Sequence, residues 1–328
     1  SDVGIRIPTL DLRAASPRID LSGEPLGRAM FDVIDREGAL LVRTAMSQAS
    51  DLAAFLSAIG HQPFASYVGG TSIRSEPVAP NVFKSTEMPP DVTIPLHQEM
   101  AYVAAIPDYI TLFCSAAATD QQKTNLTGDM VEFTRTLADW VFQKYRGRKA
   151  RLRRFLPPRG TSTGLNRMRR CWNDVIGTSD RDEARVIAAQ RNWDLRWTDD
   201  DFVELLQEPF PFFREHPIHG EVWCTQAFAY LPVVQAYLAQ IDGRVDDLDR
   251  MRAALKEAPE MLDTAVFEDG TPLDDEDALF IHKRLEGQTH RLALEQGELL
   301  ILDNILRAHG RSPFNGTRKI FVALGVRR

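Results

Sequence analysis

The spacing of apolar positions sets out the secondary structure before any chemistry is considered. Leu26, Met30, Phe31, Val33 and Ile34 recur at helical intervals, with Gly38 where a helix would stop, so a helix is predicted near 25–37. ALLVR at 39–43 is an apolar run of strand length, and SQASDLAAFLSAIG at 47–60 has the Ser/Asp start and Gly stop of a second helix. From Tyr67 to Pro90 no period holds and Gly, Pro, Ser and Asn are frequent. That predicts a long irregular segment, and long loops in compact domains tend to carry function. YITLFCSAAA at 109–118 predicts a buried strand, followed by a helix at about 129–145.

Downstream the pattern is mixed. RGRKARLRR at 146–154 is a basic patch that could take an acidic ligand but reads first as a solvated face, residues 214–221 read as a turn, and helices are predicted near 180–191, 198–207, 230–240, 246–257 and 274–286. The C-terminal part changes character: GELLILDN at 297–304 and KIFVALGV at 319–326 are continuous apolar runs bounded by turn residues, as expected of strands buried on both faces. The loop AHGRSPFNGTR joins them. The simplest organisation is one domain over 1–328, a β core with strands from both ends of the chain and a mostly helical insertion over roughly 129–290.

Composition narrows the class. With 328 residues, 44% hydrophobic and 26% charged, the chain is globular rather than disordered. A net charge of −7 and no Lys/Arg stripe with interleaved aromatics argue against a nucleic-acid partner. Cys114, Cys171 and Cys224 are too few and too scattered for a disulfide framework or a Cys zinc site. No apolar stretch approaches a membrane span, and SDVGIRIPTLDLR lacks the layout of a signal peptide, so a cytoplasmic location is expected.

The candidate chemistry lies in IPLHQEMAY. His97 and Glu99 sit two apart, so on extended backbone they project from one face of a strand end while Gln98 points the other way. A distant His309 completes two imidazoles and a carboxylate, the facial triad that leaves half of an octahedral iron open for a chelating cosubstrate and oxygen. The spacing alone is weak: with seven His and 46 acidic residues, roughly one His-x-Asp/Glu arises by chance, and a rival exists at His219-Gly220-Glu221. The rival's Pro and Gly neighbours favour a solvated turn. A 2-oxo acid chelating such an iron would need a fixed cation for its far carboxylate, and Arg bonds both oxygens at once. Arg318, nine residues after His309, is the first candidate and Arg311 its competitor.

At this point the residues resemble a family. YVGGTSIR (67–74), APNVFKSTEMPPDVTIPLHQEMAY (79–102), TNLTGDM (124–130), VIGTSDRDE (175–183), GEVWCTQAF (220–228), DGTPLDDED (269–277) and ELLILDNILRAHGRSPFNGTRKIFVAL (298–324) are similar to the taurine dioxygenase-like superfamily of Fe(II)/2-oxoglutarate-dependent oxygenases, especially the branch that resembles syringomycin-pathway amino-acid hydroxylases. The resemblance implies a mainly β fold with α insertions, a double-stranded β-helix (jelly-roll-like) core with flanking helices. It implies Fe(II) on His97, Glu99 and His309, 2-oxoglutarate and O2 as cosubstrates, Arg318 on the distal carboxylate and Thr124 assisting it. The sequence departs from the pattern at Gln121-Gln122-Lys123, where relatives carry Gly-Gly-x before the Thr, at Gln98, where Asn is common, and at Gly128, where an acid is common. In related halogenases, the resemblance implies, a small residue replaces the carboxylate ligand, so Glu99 disfavours halogenation.

The implied activity is oxidation of an unactivated C–H, by hydroxylation, of an amino acid or amino-acid-derived substrate, free or tethered to a carrier protein, in a specialised-metabolite pathway. Desaturation and cyclisation begin with the same hydrogen abstraction. Arg74, Asn81, Ser85, Gln98 and Arg307 are polar groups near the motif and are candidate substrate contacts, with loop hydrogen bonding and surface charge as the alternative. Two other classes compete. A zinc hydrolase on the same three ligands would need neither Arg318 nor 2-oxoglutarate, and a non-catalytic jelly-roll binding protein would keep the fold alone.

Overall fold

The computed structural model describes residues 6–14, 24–65, 76–85, 88–118, 123–161 and 170–328. Its core is two facing sheets. The larger runs, in spatial order, Thr9–Asp11, Ala39–Arg43, Glu298–Asp303, Tyr109–Ala116, Lys319–Val326 and Gln62–Pro63, with Phe83–Lys84 also paired to Lys319–Val326. The smaller runs His290–Leu292, Asn125–Asp129, Arg307–Arg311, Ile94–His97. Strands from both ends of the chain interleave, and this is the double-stranded β-helix with flanking helices expected from the sequence.

The apolar runs are continuous because the large sheet is covered on both faces. Leu40, Val42, Phe113, Leu299, Ile301, Phe321 and Ala323 pack under the helices Glu24–Glu37 and Ala49–Ala58. Their alternates Leu112, Cys114, Leu300, Leu302, Ile320, Val322 and Leu324 join the main core between the sheets.

The insertion corrects the sequence reading in three places. The basic patch is the strand Lys149–Leu156, at the centre of a separate five-stranded sheet with Phe210–Pro211, Val203–Leu206, Asp194–Trp197 and Thr264–Phe267. Its buried residues Ala150, Leu152, Arg154 and Leu156 alternate with charged or half-buried ones, a period of two hidden by the run of arginines. The helix expected at 198–207 is instead a turn and the strand Val203–Leu206, whose Val203 and Leu205 are fully buried. The helix expected at 129–145 is two, Met130–Arg135 and Asp139–Tyr145. Residues 214–221 fall in a hairpin, Phe213–His216 with Gly220–Trp223. Among the described residues no helix is long and apolar enough to cross a membrane.

Candidate metal centre

His97, Glu99 and His309 converge: their ligand atoms all lie within 4.8 Å of one another, and among the described residues they are the group of this kind that meets a metal-site geometry. His97 ends the Ile94–His97 strand and is paired across the ladder with His309, so both imidazoles project to one face with ring centroids 4.3 Å apart. Glu99 Oε2 lies 3.4 Å from His309 Nε2 and 3.8 Å from His97 Nε2. Cis ligands on metal bonds of about 2.1 Å stand roughly 3 Å apart, so small side-chain rotations bring these three onto one ion. His97 Nδ1 is 2.9 Å from the Pro95 carbonyl. That contact fixes Nδ1 as the protonated nitrogen and turns the Nε2 lone pair toward the centre, the usual outer support of a ligating histidine. Two imidazole nitrogens and one carboxylate oxygen, all facing one side, fit a metal that keeps open positions.

Two local details differ from the sequence expectation. His309 is not on a loop but inside the strand Arg307–Arg311. Glu99 does not extend the strand of His97: the ladder ends at His97, and Met100 takes φ 60° in a tight turn. The carboxylate is aimed by that turn rather than by strand alternation.

The wall beside the triad is polar. On the neighbouring strand Thr127 is directly opposite His309, and Asn125, two residues along on the same face, accepts a hydrogen bond from Arg318 Nη2 at 2.5 Å. Burial and, at Arg311, repulsion from Arg318 pull both guanidinium pKa values down to about 10. Both stay cationic at neutral pH, so an anion arriving here would be stabilised. The two arginines differ in commitment. Arg311 donates to the carbonyls of Met88, Pro89 and Val92 at 3.1, 2.6 and 2.9 Å and lies against the Phe314 ring, so it pins the segment before the His97 strand. Arg318 has no carboxylate partner among the described residues. Thr124 is buried before the start of the strand, where its carbonyl accepts Ser312 N–H; the residue bonded to Arg318 is Asn125, which sequence reasoning missed although it adjoins Thr124.

The remaining candidates scatter. Gln98 is 2% exposed and donates to the Trp223 and Ile305 carbonyls, so it ties the motif to the insertion rather than facing a ligand. The reach to two carbonyls gives a reason for Gln where Asn is usual. Arg307 is buried, donates to the Glu37 carbonyl at 2.9 Å and stands 3.5 Å from Asp129. Asn81 is an exposed turn residue with φ 57°. Ser85 is half-buried beside the large sheet, its N–H bonded to Ile320. Arg74, Gln121 and Gln122 lie outside the described residues. At Gly128 an added Cβ would come within 2.6 Å of the Leu96 Cδ1 methyl, so a side chain there requires that flexible end to shift. The rival pair is dispersed on the hairpin: His219 Nε2 contacts the Arg36 carbonyl and Glu221 pairs with Arg146.

A double-stranded β-helix with two imidazoles and a carboxylate meeting inside it defines a dioxygenase of the facial-triad type. The sequence profile of the "Taurine catabolism dioxygenase TauD, TfdA family" matches residues 12–324, and the chain belongs to that family. The family works with Fe(II), 2-oxoglutarate and O2. Among curated proteins the chain is 24% identical to a clavaminate synthase-like protein of Arabidopsis thaliana, over 98% of this chain and 90% of that one. It is 26% identical to the dapdiamide synthesis protein DdaC of Enterobacter agglomerans, over 89% of this chain and 83% of that one. Among solved structures, a taurine dioxygenase from Burkholderia xenovorans matches with a TM-score of 0.51 at 11% identity, over 98% of this chain and 87% of that one, a likeness of fold.

Proposed function

We propose that this dioxygenase hydroxylates an unactivated C–H of an amino acid or amino-acid-derived small molecule, free or carrier-bound, in a biosynthetic pathway, with Fe(II) held by His97, Glu99 and His309. The convergence of those three side chains is the observation that carries the reading. The name of the relative DdaC, a dapdiamide synthesis protein, supports the pathway type. Glu99 is buried against both histidines, which favours oxygen insertion over halogenation because the third ligand position is taken by the protein.

The assignment of the cosubstrate site follows from register. Asn125 sits two residues along its strand from the His309 row, about 7 Å at the rise of a β-strand, and Arg318, which precedes the Lys319–Val326 strand of the facing sheet, reaches it there. A five-carbon 2-oxo diacid chelated at its keto end places its far carboxylate at about that distance. Arg318 therefore takes the far carboxylate in its planar fork, and Asn125 is its polar neighbour in place of Thr124. Cys114, whose thiol burial pushes up to about 11, stays neutral on the facing wall and does not compete for the cation. When bound, the iron supplies oxygen activation; the protein's part is to orient the cosubstrate, hold the reacting C–H near the metal and exclude water.

The test is succinate formation from 2-oxoglutarate with Fe(II) and ascorbate across a panel of amino acids, read together with product mass. A gain of one oxygen is expected. Loss of two hydrogens would reassign the outcome to desaturation or cyclisation, and succinate formation unchanged in a Glu99→Ala, His309→Ala double variant would sink the metal assignment.

A further inference from the structure

The turn between the strands Glu298–Asp303 and Arg307–Arg311 carries a carboxamide that grips Glu99. Asn304 Oδ1 accepts the Glu99 N–H at 2.6 Å, and its Nδ2 donates at 2.9 Å to the Glu99 carbonyl and at 2.9 Å to the Pro107 carbonyl. One side chain thus satisfies both backbone groups of Glu99, as an adjacent strand would. The place requires it. The regular ladder has ended at His97, and Met100, 1% exposed, is held at φ 60°, a conformation that costs an L-residue about 1 kcal/mol or more.

Asn304 is fixed in turn. Its own N–H donates to the Asp108 carbonyl at 2.8 Å. The preceding Asp303 is fully buried; its Oδ1 accepts the N–H groups of Ile305 and Leu306, and its Oδ2 accepts His216 Nε2 at 2.9 Å and Arg327 Nη2 at 2.6 Å. His216 Nδ1 accepts the N–H groups of Ile218 and His219, which leaves Nε2 as the nitrogen that donates. This histidine stands at the turn end of the hairpin that carries the rival His219-Gly220-Glu221. The hairpin lacks a metal motif but reaches the metal strand through a different residue.

We infer that Asn304 is a positioning residue for the carboxylate ligand, and that the His216–Asp303 pair, half of it supplied by the insertion, holds Asn304 in register. The inference rests on the reading of Glu99 as a metal ligand. With Asn304 truncated, the Glu99 backbone loses both of its bonds to that side chain and its carboxylate leaves the third facial position for part of the time, so metal affinity falls even where the fold survives.

The experiment is anaerobic Fe(II) titration against a chelating indicator, each protein held below its melting temperature. Wild type, Glu99→Ala, Asn304→Ala and Asn173→Ala are compared. Asn304→Ala should bind Fe(II) about 10–100-fold more weakly, the usual effect of losing an outer support of a metal ligand. Asn173→Ala removes a buried asparagine that accepts the Arg159 N–H in the insertion; it should lower the melting temperature and leave Fe(II) affinity unchanged. Wild-type affinity in Asn304→Ala, with affinity lost in Glu99→Ala, overturns this inference and leaves the ligand assignment standing. Wild-type affinity in Glu99→Ala removes the ligand assignment itself. If Asn304→Ala does not fold, His216→Leu and His216→Gln decide: Gln keeps a donor for Asp303 and should bind Fe(II) more tightly than Leu, and equal affinities overturn the inference.

Discussion

Arg318 Nη2 donates to Asn125 Oδ1 two residues along the strand from the His309 row, and among the described residues no carboxylate answers that guanidinium. On the function proposed above, this half-buried cation bonded to a neutral carbonyl oxygen receives the far carboxylate of the cosubstrate.

Arg318→Ala should therefore raise the 2-oxoglutarate KM steeply, since each hydrogen bond to a charged group contributes about 1.5–3 kcal/mol, or roughly 10–100-fold. Asn125→Ala should raise it less. Arg311→Ala should instead lower the melting temperature, because it frees three carbonyls of the segment before His97. Steady-state succinate formation at varied 2-oxoglutarate, paired with thermal melts, separates the two arginines; a KM effect at Arg311 with none at Arg318 would exchange their roles.

Gly310 lies in the His309 strand against the His97 strand, where an added Cβ would come within 2.5 Å of the Ile94 carbonyl oxygen and 3.0 Å of Pro95. Gly310→Ala should push the His97 and His309 strands apart, destabilising the protein by about 1–3 kcal/mol as overpacking does. It should also weaken Fe(II) binding. A melt with an Fe(II) titration checks both, and an unchanged affinity would mean that the strands yield without disturbing the triad.

Glu99→Ala removes a carboxylate set between two imidazoles while leaving its backbone bonds to Asn304 in place. Succinate formation should be lost while the metal-free melting temperature stays within a few degrees of wild type. A collapse of the fold instead would make Glu99 a structural residue.

His61 is 8% exposed and burial lowers its pKa from 6.5 to about 4. The unfolded chain then binds the proton first, so the stability from the neutral ring is present above pH 6.5 and is lost as pH falls from 6.5 toward 4. A depression of this size corresponds to about 3 kcal/mol at most. The melting temperature should fall over that window, and His61→Leu should flatten the fall; an equal slope in the variant would place the acid sensitivity elsewhere.

Much of this was legible in the chain. The strands Ala39–Arg43 and Lys319–Val326 have the bounds their apolar runs predict, because a strand covered on both faces leaves no polar position inside it. Lys149–Leu156 was illegible for the opposite reason. Its inward Arg154 stands 3.5 Å from Asp263, which arrives from a distant part of the chain, so a position that reads as solvated is 1% exposed.

The sequence by itself determined the core strands, the flanking helices and the two motifs that carry the triad and Arg318, since these depend on periodicity and local residue chemistry. The tertiary structure decided which His-x-Glu converges with His309, that Arg311 ties down a loop while Arg318 bonds only the neutral side chain of Asn125, and that Asn304 holds Glu99. Each of these is a contact between residues far apart in the chain. Strand pairing and register set such contacts, and no local pattern of apolar and polar residues encodes them.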